Sequence, residues 1–114
     1  MKVIMFLTGL LAASFAGTLA YAAASHPFDG EWTEVIVGEN QQCDVRVDTS
    51  FTVSNGHLSQ PGSSGTVSPS GSAQGTAANN GFTATWTGHF SGNKAAGRFR
   101  RSDGCVGRWT AVRR

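Results

Sequence analysis

The sequence predicts a small all-β domain: an antiparallel meander of about eight strands forming a barrel or sandwich, tied by one disulfide. Three observations predict it. Apolar and polar residues alternate with period two, turn signals recur about every ten residues, and two cysteines stand 62 positions apart in a chain of 114 residues. Charged residues make up only 14% of the chain, which excludes a coiled coil, a basic nucleic-acid tail and an acidic linker.

The chain starts with an export signature. Met1-Lys2 is a short positive start, Val3 to Leu11 is largely apolar, and Ala20-Tyr21-Ala22 and Ala22-Ala23-Ala24 are small-residue cleavage sites. Residues 1–24 read as a signal peptide, cut after Ala22 or Ala24, and residues 25–114 as a single β domain, periplasmic or secreted. No second apolar run reaches the ~20 residues that cross a bilayer, so the mature chain is not expected to span one.

The strands are expected at 30–37, 43–54, 57–60, 65–68, 72–77, 82–90, 96–101 and 105–112. In the second, Cys43, Val45, Val47, Thr49, Phe51 and Val53 share one face, and Asp44, Arg46, Asp48, Ser50 and Thr52 the other. Asn55-Gly56 then signals a tight hairpin, since both residues tolerate positive φ. Residues 59–81 are thin: 16 of the 23 are Ser, Gly, Ala or Thr. They read as two edge strands or as a mobile flap. Beyond Asn80-Gly81, Phe82, Ala84, Trp86, Gly88 and Phe90 alternate with threonines and His89. Gly97, Phe99 and Arg101 then alternate with Arg98 and Arg100. Ser102-Asp103-Gly104 turns into Cys105, Gly107, Trp109 and Ala111.

Cys43 and Cys105 fall on the apolar faces of their strands. An even cysteine count in an exported chain predicts a bond between them, inside the fold or at one rim. Closing so long a loop contributes roughly 4 kcal/mol.

Trp32, Trp86 and Trp109 are expected core anchors. Gly30-x-Trp32-Thr33-x-Val35 and Gly107-x-Trp109-Thr110-x-Val112 echo each other at the two ends of the domain, so Trp32 and Trp109 are candidates to meet where the first and last strands adjoin. With Ile36, Val45, Val47, Phe51, Val53, Phe82, Phe90 and Phe99 they are numerous enough to fill a small barrel.

Charge is split along the chain. Residues 25–93 hold six acids and one base (−5), and residues 94–114 seven bases and one acid (+6). By parity, Arg98, Arg100 and Arg108 stand outward as a ladder. One reading pairs them with Glu31, Asp44 or Asp48, with Glu31 beside Arg108. The other gives them an anionic partner, envelope polysaccharide or lipid headgroups. Nucleic acid is disfavoured because the aromatics lie on the opposite face.

No catalytic motif, metal site or cofactor is expected. His26, His57 and His89 lack ligand spacing, and the sequence has neither a C-x-x-C-H haem motif nor a G-x-S-x-G elbow. Glu34 shares the Trp32 face: it is either buried or at a bulge, where a buried acid is a site candidate, or, as the preferred reading, an acid exposed at the rim.

Gly30-x-Trp32 on a first strand with arginine on the last resembles the calycin theme of lipocalins, avidins and small periplasmic metalloprotease inhibitors. Phe28-Asp29-Gly30-x-Trp32, Cys43, Phe90-Ser91-Gly92-Asn93 and Cys105-x-Gly107-x-Trp109-x-Ala111-x-Arg113 resemble a group of small exported proteins of alphaproteobacteria. The expectation is a non-enzymatic binding or interaction protein acting through its outer surface. The alternative is a calycin-like barrel that takes an apolar ligand or inhibits a protease.

Overall fold

The computed structural model describes residues 26–41, 43 and 45–114. The expected signal peptide and Asp44 lie outside them. Eight antiparallel strands form a closed up-and-down barrel: β1 Gly30–Gly38, β2 Arg46–Ser54, β3 His57–Gln60, β4 Ser63–Val67, β5 Ser72–Asn79, β6 Phe82–Ser91, β7 Lys94–Arg101 and β8 Val106–Arg113. Each strand pairs with the next, and β1 also pairs with β8, so no edge remains.

Local chemistry sets the turns. Asn55 and Gly56 both take positive φ (53° and 75°), as a two-residue hairpin between right-twisted strands requires. The expected long strand from Cys43 begins three residues later, at Arg46. Cys43 forms an isolated bridge with Asn40, and the β1–β2 connection occupies the intervening residues.

Residues 59–81 are wall, which corrects the expectation of edge strands or a flap. Their smallness serves the aromatics. Gly65 and Gly75 face each other across β4 and β5, and a Cβ on either would run into the Trp86 indole. Gly88 and Gly97 pair in the same way against Trp109, and Gly107 opposes Phe99. Each large ring lies flat over a strand that carries no side chain there.

The two ends of the barrel differ. At the end where β1 begins and β8 finishes, Trp32, Phe51 and Phe90 pack ring on ring at centroid distances of 4.9–6.1 Å, with Phe28 against Phe90 at 5.7 Å. The Trp32 indole N–H donates to the Phe28 carbonyl at 3.0 Å. Arg113 donates to the carbonyls of Pro27, Asp29 and Gly92 and to Asn93 Oδ1, clamping the entering segment to the β6–β7 turn. Asp29 accepts the backbone N–H groups of Asn55 and Gly56 at 2.7 and 3.1 Å. This end is closed.

Trp32, Trp86 and Trp109 are all buried. Trp32 and Trp109 lie on adjoining strands, but the register sets Trp32 opposite Arg113 and Trp109 opposite Ile36. They share Phe51 and Phe90 as packing partners, and the tryptophan that Trp109 meets directly is Trp86, edge to face at 5.9 Å.

Candidate functional site: the open mouth of the barrel

The opposite end carries the β1–β2, β3–β4, β5–β6 and β7–β8 connections, and it is open. A cavity of about 430 Å³ enters the barrel there. That falls within the roughly 300–1,000 Å³ of small-molecule sites. The barrel is therefore half filled, contrary to the expectation from the count of aromatics. Ile36, Val45, Phe82 and Phe99 line the cavity and are only half-buried, and Val47 is exposed. The space exists because the inward positions of β4, β5 and β6 on this side hold Ser63, Ala77 and Ala84.

The walls are apolar: Ile36, Val45 and Leu58 on one side, Phe82, Trp86, Phe99 and Trp109 on the other. Polar groups converge at one corner. Glu34, expected at the rim, points into the barrel and is only 9% exposed. The period-two register of β1 carries it inward with Trp32 and Ile36, while Glu31 stays outside and accepts a hydrogen bond from Thr52.

Glu34 Oε1 accepts from Gln60 Nε2 at 2.9 Å, and the same amide nitrogen donates to the Ser50 carbonyl at 3.0 Å. No described residue donates to Glu34 Oε2. Every buried side-chain oxygen or nitrogen among the described residues has a partner, so Oε2 is reached from the cavity. Burial pushes the Glu34 carboxyl above the ordinary glutamate range, with the Gln60 hydrogen bond opposing it.

Ser63 is also committed: its hydroxyl accepts from Trp86 Nε1 at 3.1 Å and donates to the Thr76 carbonyl at 3.2 Å. Nearer the opening, Arg101 lies over the Phe82 ring at 3.8 Å and makes a two-pronged pair with Asp103. That arginine holds the Asp103 carboxyl below its usual range.

The Cys43–Cys105 disulfide ties two of the mouth connections together, with a Cα–Cα distance of 4.8 Å. Both cysteines are buried. Asn40 reinforces the junction, donating to the Gly104 carbonyl and accepting from the Val106 N–H.

The arginine ladder lies elsewhere, on the outer surface. Arg98 and Arg108 face each other across β7 and β8, and both reach Glu39, at 2.6 and 3.6 Å. Glu31 is not beside Arg108, because the β1–β8 register sets Arg108 opposite Val37. Asp48 pairs with Arg46 instead. Arg100 is exposed and meets no acid among the described residues. Between these charges the outer face is rich in threonine, where a lipid-embedded barrel carries an apolar band. No helix among the described residues is long and apolar enough to cross a membrane. His26, His57 and His89 are exposed, with the His26 ring against Gly56, just before β3, and His89 on β6.

Sequence reasoning placed Arg101 on an inward face and listed Glu34 with Trp32, but it missed Gln60, Ser63, Ala77 and Ala84 as cavity lining. The available signal was small residues recurring at period two on β4 to β6, where a filled barrel needs large ones. The chain matches no protein-family model, no curated protein and no solved structure.

Proposed function

We propose that this is an exported, non-enzymatic binding protein that holds a small, largely apolar organic molecule in the mouth of the barrel. The observation that carries the reading is the cavity of about 430 Å³ with aromatic walls and one polar corner. Ser63, Ala77 and Ala84 keep that space open, while aromatic rings pack the other half of the barrel. A disulfide and a polar outer face suit the periplasm or the extracellular medium, in line with the export signature. The closed meander is also the architecture in which lipocalin-type barrels hold ligands, an argument by analogy. Calorimetric titration with 1-naphthylmethanol tests the reading. The wild type should bind it, and Ala77→Phe, which fills the mouth, should abolish binding without loss of fold. Equal binding by the filled variant would put the probe elsewhere and defeat the proposal.

The outer arginines support a second reading, an anionic partner such as polysaccharide or lipid headgroups. Arg100 has no acid partner among the described residues, but Arg98 and Arg108 share Glu39, which offsets one of the ladder's three positive charges. Retention on an anionic matrix that falls with salt and is lost in Arg100→Glu would favour it.

A further inference from the structure

The hydrogen-bonding capacity left over at the polar corner is all of one kind. Both protons of the Gln60 amide are used, on Glu34 Oε1 and the Ser50 carbonyl. The Ser63 proton goes to Thr76, and its oxygen takes the Trp86 N–H. What remains at this corner is Glu34 Oε2 and the Gln60 carbonyl oxygen, both acceptors; the other polar side chains that line the cavity, Asn79 and Arg101, stand at the strand ends nearer the opening. A ligand seated here must bring donors.

Charge narrows the class further. Among the described residues, Glu34 and Arg101 are the charged side chains that line the cavity, and Asp103 answers Arg101. From β2, β3 and β8, the groups against Glu34 are neutral: Thr49, Gln60 and Ala111. Glu34 thus has no cation among the described residues, whereas buried acids are normally paired. The indoles of Trp86 and Trp109 and the rings of Phe82 and Phe99 line the same space, and aromatic faces attract cations.

Resting on the cavity reading, we propose that the mouth selects an organic ammonium: a small, flat apolar body whose amine is held by Glu34 Oε2 and the Gln60 carbonyl. The bound cation supplies the counter-charge that Glu34 lacks. An anionic ligand of the same shape would meet acceptors and a carboxylate, and would be rejected.

The test compares three probes of one shape at pH 7.5: 1-naphthylmethylammonium, 1-naphthylmethanol and 1-naphthoate, titrated into the wild type and Glu34→Gln. The ammonium should bind about tenfold more tightly than the alcohol, a difference of about 1.4 kcal/mol, and the naphthoate least. In Glu34→Gln the ammonium should lose its advantage and bind no more tightly than the alcohol. The advantage of the ammonium should also fade as pH drops and Glu34 protonates. Equal affinity of ammonium and alcohol, or an ammonium affinity unchanged in Glu34→Gln, would overturn the cation proposal. If the alcohol still bound and Ala77→Phe still blocked it, the cavity reading would stand alone. Binding of none of the three would overturn both.

Discussion

Glu34 is buried with no cation among the described residues, and its folded-state pKa is raised by that burial. The protonated acid is therefore favoured by folding. Its contribution to stability is present below the unfolded pKa and is lost as pH rises through the folded one. Glu34→Gln keeps the contact with Gln60 and removes the charge. Thermal unfolding at pH 7 should show the variant more stable by about 0.5–1 kcal/mol, and the gain should vanish in acid. Asp29 behaves in the opposite sense. Against a desolvation that raises it, the Gly56 and Asn55 N–H groups hold its carboxyl low. Its contribution is present above the unfolded pKa and is lost as pH falls through the folded one. In Asp29→Asn, the acid limb of the stability profile should be shallower than in the wild type. Strand parity made the inward direction of Glu34 and Arg101 legible in the sequence. That Glu34 is buried was not legible, because burial depends on which end of the barrel is open, and alternation carries no information about depth.

At the scale of elements, the pairing of glycines with large rings holds the barrel's shape. Gly75 pairs with Trp86 across β5 and β6, and the Gly75 Cβ position is filled by the indole and by the Ser64 carbonyl. Gly75→Val should cost roughly 1–3 kcal/mol in denaturant unfolding, through displacement of Trp86. A matching substitution at Gly81, where a side chain would meet open space, tests backbone strain alone, since its φ is +96°. Eight strands were legible with boundaries close to those observed, because the alternation and the Asn-Gly, Ser-Gly-Asn and Ser-Asp-Gly turns mark them independently. β4 and β5 were misread as edge strands, because their inward residues are small and signal weak burial in sequence alone. They are covered by side chains that belong to β6. Phe28, Asp29, Gly30 and Trp32 before and in β1 and Arg113 in β8 build the closed end.

The whole molecule divides into a packed half under the Arg113 clamp and an open half pinned by the disulfide. The bond closes a loop of 62 residues across the mouth. Replacing both cysteines by serine should lower unfolding stability by roughly 4 kcal/mol, and reduction of the wild type should do the same. Loss of the bond should also weaken ligand binding, since it joins two of the connections around the opening. The central claim is that the open half holds a ligand and the outer surface does not. The most direct measurement is a map of amide NMR shifts on titration with 1-naphthylmethylammonium. Shifts confined to the mouth, at Glu34, Ala77, Ala84, Phe99 and Trp109, with Gly56, Gly71 and Gly92 at the closed end unmoved, are the result expected. Shifts gathered on Arg98, Arg100 and Arg108, or spread evenly over both ends, would contradict the account.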